Sequence, residues 1–297
     1  MGVDTDFIRR FLLDGSNVRG VRVYLSGVWQ EMLARNPYPA PVSRLLGQAL
    51  AGASLLAATI KIDGSLTLQS SGDGPVTMVV VQATGAKTVR GMAAQRREIA
   101  GDDFQALVGA GHLAITIDPG TGKERYQGIV DLQGASLAQV IERYFATSEQ
   151  LPTRLWLAAD EHSAAGMLLQ LLPADDGEAP DLRSWEHCVT LADSVTPAEL
   201  LGLGTETLLR RLFHADAVRL FAGESMRFYC RCSRTRVSAM LRNMPKHELM
   251  ESAREQGGAL EVSCDFCNAN YPFDLPQIAA LYGVGGASKR PLKRAPA

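Results

Sequence analysis

The sequence predicts an α+β protein: an N-terminal domain with a largely antiparallel sheet and packed helices, a helical linker and a small C-terminal domain with four cysteines. Three observations lead to this prediction. Strand pairs joined by tight turns, with helices between them, recur through about residue 172. An acidic connector that contains proline and glycine follows over residues 173–181. Beyond it, two closely spaced cysteine pairs lie near the C-terminal end.

Composition narrows the class of protein. A chain of 297 residues accommodates one large domain and a small one, and 46% hydrophobic with 21% charged residues describes an ordinary globular protein. The net charge of −2 gives no overall attraction to nucleic acid or membranes. The longest apolar stretch, residues 49–60, is too short to span a bilayer, and no signal-peptide pattern opens the chain. We expect a cytoplasmic protein with no membrane partner, whose five cysteines are kept reduced.

Side-chain periodicity predicts the first elements. Residues 18–25 alternate between apolar and polar side chains, which indicates a half-buried strand with Arg22 on its polar face. Apolar residues then recur at helical spacing over residues 42–60. Gly47 and Gly52 lower the helix propensity of this segment, so we expect them to serve close backbone packing inside the core.

Two hairpins are predicted next. Strands over residues 65–71 and 76–82 flank a Gly-Asp-Gly-Pro turn, and strands over 114–118 and 124–132 flank a Pro-Gly-Thr-Gly turn. The Gly-x-Gly-Lys sequence of the second turn lacks the spacing of a phosphate-binding loop and joins two strands. It therefore does not predict a nucleotide site.

The rest of the N-terminal domain is predicted from caps and apolar runs. Ser136 caps an amphipathic helix, a strand covers residues 155–159, and a helix is expected over residues 164–172. Glu149 lies between these elements without a partner carboxylate, histidine or nucleophile at a suggestive spacing. It is interpreted as part of a helix-to-strand connection and not as a catalytic residue.

The segment called the linker here, residues 176–226, is predicted to be helical and weakly stable alone. Thr196, Pro197 and Glu199 form a capping-box start, whereas Gly202 and Gly204 interrupt the helices that follow. The linker could dock on the first domain, or expose its apolar face once released, and the two interpretations are compatible. The apolar face consists of Leu200, Leu201, Leu208, Leu209, Leu212 and Phe213.

Four cysteines have the spacing of a metal site. Cys230 and Cys232 form a C-x-C pair, and Cys264 and Cys267 form a C-x-x-C pair after 31 intervening residues. Residues one apart on an extended segment point the same way, and a tight turn brings the second pair together. Four converging thiolates suit a closed tetrahedral zinc site. Two local disulfides, or unrelated core cysteines, are the alternatives.

The remaining candidate ligands form no pattern. Cys188 has no partner at ligand spacing, which indicates a buried or incidental thiol. The five histidines are scattered; only His247 lies between the cysteine pairs, and four thiolates need no fifth ligand.

The cysteine segments resemble the heat shock protein 33 family, a family of redox-regulated 33 kDa chaperones. The resemblance spans nearly the whole chain, and Tyr271 belongs to it. The matching segments are residues 45–50, 124–130, 144–154, 210–214, 228–234 and 262–268.

The resemblance implies a holdase chaperone without catalytic turnover. The four cysteines would hold one Zn²⁺ when reduced; oxidation would join Cys230 with Cys232 and Cys264 with Cys267, release the metal and allow binding of unfolding client proteins. Neighbouring cysteines also favour that pairing by proximity. Further implied partners are a second copy of the oxidised chain and ATP-dependent foldase chaperones that receive clients; no nucleic acid is expected.

Elementary chemistry is compatible with such a switch. A domain of about 45 residues is near the size below which a hydrophobic core alone seldom suffices. Its fold would then depend on the metal, and metal loss should unfold it. A C-x-C disulfide is awkward, because two strand steps span about 6.6 Å, and a strained bridge is easily reduced. Positive charge favours the oxidisable thiolate. Four arginines crowd the first pair: Arg227, Arg231, Arg234 and Arg236.

Two other functions remain as alternatives. Seven Arg or Lys against three Glu between residues 227 and 256 would suit a nucleic-acid-binding zinc module, although aromatic residues for base stacking are few. The C-x-x-C pair would suit a thiol oxidoreductase, but the βαβ context of such enzymes is missing.

The predicted domain organisation follows from these segments. We expect an α+β core over residues 1–175, the linker over 176–226 and a zinc-binding domain over 227–275. Residues 276–297 end in a basic run and are predicted to be a disordered tail.

Overall fold

The computed structural model describes residues 5–60, 63–99, 101–120, 122–173 and 181–282. The chain divides into two units, Met1–Tyr229 and Cys230–Ala297. The strands of the first unit are β1 (Phe7–Leu13), β2 (Val18–Leu25), β3 (Ser65–Gly72), β4 (Val76–Thr84), β5 (Thr88–Gln95), β6 (Gly111–Asp118), β7 (Tyr126–Asp131), β8 (Thr153–Ala159), β9 (Ala164–Leu171), β10 (Val218–Leu220), β11 (Glu224–Ser225) and β12 (Arg227–Phe228).

Helices accompany these strands in the first unit. They are α1 (Gly27–Arg35), α2 (Ala40–Thr59), α3 (Phe104–Val108), α4 (Leu137–Tyr144), α5 (Leu182–Ala192), α6 (Pro197–Gly202) and α7 (Thr205–Leu212). A π-helical turn, Phe145–Glu149, follows directly after α4.

The strands form two sheets that are largely antiparallel, as predicted. One has the order β10-β1-β2-β9-β8, with β11 also paired to β1. The other has the order β12-β5-β4-β3-β6-β7. The short pairing of β12 with β5 is parallel, and the other pairings among the described strands of both sheets are antiparallel. Both predicted hairpins, β3–β4 and β6–β7, are confirmed.

Helix α2 is the buried element that both sheets share. It packs against strands of each sheet, and fifteen of its twenty residues are buried. Close packing at its glycines is confirmed: a Cβ on Gly47 would lie 2.5 Å from the Ala159 Cβ, and one on Gly52 would lie 3.3 Å from the Ile141 Cδ1. The helix is apolar over most of its surface because most of that surface is covered by the two sheets.

Two predictions for the first sheet are wrong for the same reason. Residues 164–172 are not a helix, because Ala164–Leu171 forms β9 between β2 and β8 with every residue buried. A continuous apolar run fits a buried strand as well as a buried helix. Likewise β2 is not half-buried: Arg22, on its expected polar face, is 1% exposed. Both faces of this sheet are covered.

The linker helices cover the other face of the first sheet. Residues of α5, α6 and α7 pack on the face of the first sheet whose side chains include Phe11, Met167 and Leu169, and we call this cluster the linker-side core. Of the six apolar linker residues, Leu201 is partly buried. The other five are buried: Leu200, Leu208, Leu209, Leu212 and Phe213. The linker is therefore docked in this structure, within the first unit.

Caps place the helices where the sequence predicted them. The Ser136 Oγ accepts a hydrogen bond from the Gln139 N–H at the start of α4. The Thr196 Oγ1 accepts from the Glu199 N–H at 3.2 Å, and a Glu199 carboxylate oxygen accepts from the Thr196 N–H at 3.0 Å, so the predicted capping box is present.

The second unit contains α8 (Arg234–Leu241), α9 (Lys246–Glu255), the antiparallel pair β13 (Ala259–Ser263) and β14 (Asn270–Asp274), and α10 (Leu275–Leu281). The last helix corrects the expected start of the tail at residue 276. Asp274 and Gln277 form its capping box, and Ile278 is fully buried, so the helix belongs to the folded unit. The rest of the predicted tail, residues 283–297, and most of the connector, residues 174–180, lie outside the described residues.

Replacing Gly20 with Ala should destabilise the first unit. Gly20 pairs with Phe11, and an added Cβ would lie 2.0 Å from the Phe11 Cζ. The displaced ring would press on Phe213, whose ring centroid is 6.3 Å away. Overpacking of this kind costs about 1–3 kcal/mol of unfolding free energy. Urea denaturation followed by tryptophan fluorescence measures it.

Gly202→Ala is the matched control. It lies at the end of α6, where nothing approaches an added Cβ within 4 Å. The same methyl group should there leave stability unchanged or raise it by up to about 1 kcal/mol. Equal losses in both variants would contradict the role assigned to Phe11.

Candidate metal centre

Two backbone segments of the second unit present the four thiols. Cys230 and Cys232 precede α8, which begins after Ser233, and the Ser233 Oγ accepts a hydrogen bond from the Arg236 N–H. Cys264 and Cys267 lie in the turn between β13 and β14.

Backbone hydrogen bonds close this turn. The Cys264 carbonyl accepts from the N–H groups of Cys267 at 3.2 Å and Asn268 at 2.7 Å, and the Cys264 N–H donates to the Ala269 carbonyl at 3.0 Å. Asn268 has φ 56°, a left-handed conformation that asparagine tolerates. The turn thus brings the two residues of C-x-x-C to one side, as the spacing predicted.

The four sulfur atoms form one cluster. All lie within 4.8 Å of one another. The Cys230 and Cys264 Sγ atoms are 3.7 Å apart, and those of Cys232 and Cys267 are 3.3 Å apart. A zinc ion with sulfur ligands at about 2.3 Å requires tetrahedral edges of about 3.8 Å. The cluster therefore has the ligand number, donor type and size for such an ion.

Burial controls the protonation of the second pair. Desolvation raises the pKa of Cys267 well above its ordinary value, and the adjacent thiols of Cys232, Cys230 and Cys264 raise it further. Desolvation also raises the pKa of Cys264, against an opposing effect of backbone N–H groups. A bound divalent cation acts in the opposite sense, because it favours thiolate and releases protons.

One hydroxyl group contacts the cluster from β14. The Tyr271 Oη donates to the Cys232 Sγ at 3.1 Å, and this hydrogen bond is the main cause that raises the pKa of Tyr271 to about 12. Tyr271 is one of the residues that carry the family resemblance, which assigns it no role. Its sequence position gave no signal of the contact, because the contact depends on β14 lying beside the C-x-C segment.

The arginines near the first pair make other contacts. The Arg236 guanidinium donates to the Arg231 carbonyl at 2.8 Å. The Arg234 guanidinium lies 4.3 Å from the centroid of the Phe273 ring and donates to Gln277. Arg227 belongs to β12 in the other unit. The largest influences on the pKa values of Cys264 and Cys267 are burial, backbone N–H groups and neighbouring thiols.

The hydrophobic core around the cluster is small. Partly buried residues such as Val262 and Leu275 pack against it. Its buried members are Leu241, Leu249, Ala253, Leu260, Phe273 and Ile278. A unit of this size with so few buried side chains is one that a structural metal ordinarily stabilises.

The other candidate residues lie away from this cluster. Cys188 is buried in the linker-side core, where desolvation raises its pKa to about 11. His247 is exposed and is not part of the thiol cluster. Glu149 accepts a hydrogen bond from the Tyr144 Oη at 2.6 Å, in keeping with the structural interpretation.

In residues 5–60, 63–99, 101–120, 122–173 and 181–282, no helix is long and apolar enough to cross a bilayer.

Fold and cluster together define a two-sheet α+β protein with a separate four-thiol unit, and comparisons with known proteins agree. The family model described as Hsp33 protein matches residues 6–274. The chain belongs to the Hsp33 family, as the resemblance of its cysteine segments indicated.

Curated relatives support the same assignment, and a solved structure shows the same fold. The 33 kDa chaperonin of Azotobacter vinelandii is 49% identical over 96% of this chain and 97% of its own. That of Ectopseudomonas mendocina is 46% identical over 95% and 97%. The crystal structure of the 33 kDa chaperonin (heat shock protein 33 homolog) of Thermotoga maritima has the same fold, with a TM-score of 0.80, 24% identity and coverage of 93% and 97%.

Proposed function

We propose that this protein is a redox-regulated holdase chaperone of the cytoplasm, without catalytic turnover. The reduced, zinc-bound form is inactive, and the oxidised form binds unfolding proteins and prevents their aggregation. The observation that carries the proposal is the cluster of four thiols within 4.8 Å, in a weakly cored unit of an Hsp33 family member.

Cys230, Cys232, Cys264 and Cys267 would hold one Zn²⁺ in this proposal. Zinc supplies no redox chemistry; its role is to stabilise the fold of the second unit. Structural zinc sites contribute about 10–16 kcal/mol of apparent binding free energy. The net stability of a whole domain is about 5–15 kcal/mol. Losing the ion would therefore be enough to unfold the unit.

Oxidation would remove the ligands. With hydrogen peroxide as oxidant, two thiolates lose two electrons and form one S–S bond, and the peroxide takes up these electrons and two protons to give two water molecules. We assign the bonds to Cys230 with Cys232 and to Cys264 with Cys267, because neighbours in sequence stay close as the unit unfolds. A disulfide sulfur no longer donates as a thiolate, so the metal is released.

The proposed consequence is release of the linker. Unfolding of the second unit, which is joined to the first at Tyr229, would destabilise the docked linker. Leu208, Leu209 and Phe213, together with the sheet face beneath them, would then be exposed. Exposed apolar patches bind other apolar surfaces, including unfolding clients and a second oxidised copy of the chain. Hand-over of clients to ATP-dependent foldases belongs to the same proposal.

Zinc content should depend on each of the four cysteines. Cys264→Ser should lower the metal from one zinc per chain to well below it, because three thiolates and a hydroxyl bind zinc far less tightly. Cys188→Ser, in the linker-side core, is the control and should keep full zinc. Metal analysis of the reduced proteins measures this, and full zinc in Cys264→Ser would refute the ligand assignment.

Oxidation should give local disulfides. After peroxide treatment and alkylation of free thiols, peptide mapping should recover Cys230 bonded to Cys232 and Cys264 bonded to Cys267, with zinc found in solution. In the reduced cluster the sulfur atoms of Cys230 and Cys264 are 3.7 Å apart and those of Cys232 and Cys267 are 3.3 Å apart, and all four lie within 4.8 Å. Bonds across the cluster, including one between Cys232 and Cys264, are therefore the alternative. If those bonds predominate, or zinc stays bound after complete oxidation, the oxidation step is wrong.

Client protection should appear only after oxidation and should need no ATP. Light scattering of a heat-denatured client should fall with peroxide-treated protein and not with reduced protein. Hydrogen exchange should increase in the linker and second unit, because their amides lose packing, and stay low in the buried helix α2. If α6 and α7 remain as protected in the active protein as in the reduced one, linker release is not the switch.

A further inference from the structure

An arginine is buried where the linker meets the first sheet. Arg22, on β2, is 1% exposed and lies on the face of the sheet that the linker helices cover. Its guanidinium donates to the carbonyls of Val23, Gly166 and Leu200. Leu200 belongs to α6, so this side chain bonds both the sheet and the linker.

Within the part of the chain that the structure describes, the charge of Arg22 has no carboxylate partner. Its hydrogen bonds go to backbone carbonyls alone, and its Nε is buried without a hydrogen-bond partner among the described residues. Burial lowers the pKa of Arg22 only to about 10, so the group stays charged at neutral pH. A buried cation without a counter-ion is strongly disfavoured relative to the same cation in water.

The three acceptors depend on Arg22 to different degrees. Val23 and Gly166 lie in β2 and β9, which are interior strands, so their carbonyls belong to the ladder of the sheet as well. Leu200 lies in the last turn of α6, where helix carbonyls lack partners within the helix. Arg22 therefore satisfies one helix end of the linker, but at the cost of a desolvated charge.

We propose that Arg22 controls the docking of the linker: burial of its charge keeps the linker only weakly bound to the first sheet. The inference rests on the proposed function, in which the linker leaves the sheet. Docking buries the guanidinium, and release returns it to water while its strand stays in place. The solvation that the cation regains on release outweighs the one helix-end hydrogen bond that it gives up. The buried charge of Arg22 thus keeps the free energy of linker docking small.

This role predicts opposite effects for two substitutions. Arg22→Met keeps a long, unbranched side chain and removes the charge, so docking should become more stable. Arg22→Lys keeps the charge but loses the planar fork, and an ammonium group is more strongly hydrated than a guanidinium, so docking should weaken. A simple anchor would instead be weakened by both substitutions.

Hydrogen exchange of the full-length, reduced, zinc-loaded protein measures the docking directly. The reporter amides are Leu208 and Leu209 in α7, which are buried in the linker-side core. Their protection should rise about tenfold in Arg22→Met, equivalent to about 1.4 kcal/mol, and fall about tenfold in Arg22→Lys. The amides of Leu55 and Leu56 in α2 report global unfolding and should not change in parallel.

Arg9→Met is the matched control, because it removes a cation that does have a carboxylate partner. The Arg9 side chain lies on β1, is 21% exposed, and its Nη1 is 3.3 Å from a carboxylate oxygen of Glu206 in α7. Its replacement should leave the protection of Leu208 and Leu209 unchanged or lower it. A rise equal to that of Arg22→Met would show that any lost cation suffices, and would overturn the proposal.

Suppression of client aggregation separates the role proposed for Arg22 from the proposed chaperone function. At equal zinc content and equal disulfide formation, Arg22→Met should need longer peroxide treatment than wild type before it suppresses client aggregation. Wild type without oxidation-dependent protection would refute the proposed function, while the exchange data on reduced protein would still test Arg22. Lower or unchanged protection of α7 in Arg22→Met overturns the role of Arg22.

Discussion

The first sheet has two apolar faces, and α2 covers only one of them. Every residue of β9 is buried, which is possible only while another layer lies on the opposite side. The helices α5, α6 and α7 are that layer, and they are short, so tertiary packing and not helix propensity holds them. The stability of the linker and the solubility of the sheet face therefore depend on the same contact.

The second unit is stabilised differently. Few side chains of residues 230–282 are buried in its core, and the four thiols form a cluster beside them. The stabilisation from hydrophobic burial increases with the size of a domain. A bound metal instead contributes a fixed free energy of folding, which is lost when its ligands react. The fold of the first unit thus depends on buried apolar area, whereas the fold of the second unit would depend on four sulfur atoms.

Local signals predicted local structure well. The capping box at Thr196, the cap at Ser136 and the tight turns between β3 and β4 act within a few residues of sequence, and all were confirmed. The grouping of the four thiols was likewise predictable, because the spacing of each pair forces convergence.

Features that depend on tertiary neighbours were not predictable. β9 looked helical because burial on two sides removes the alternation that identifies a strand. β1 and β5, which carry Arg9, Arg10 and Arg90 among apolar residues, were missed because their periodicity is weak without knowledge of the partner strands. The environment of Arg22 and the Tyr271 contact are created by segments far away in sequence.

The parallel strand β12 has a consequence for how the linker would move. Arg227 and Phe228 pair with β5, and the Arg35 guanidinium lies 5.1 Å from the centroid of the Phe228 ring. The linker is thus bounded by β9 before it and β12 after it, so a linker that leaves the sheet becomes a closed loop and not a free tail. Closing such a loop costs entropy that grows only slowly with its length. The tethered helices would stay at a high effective concentration near their site. Return to the sheet would then be a fast, concentration-independent step, against which any bound client must compete.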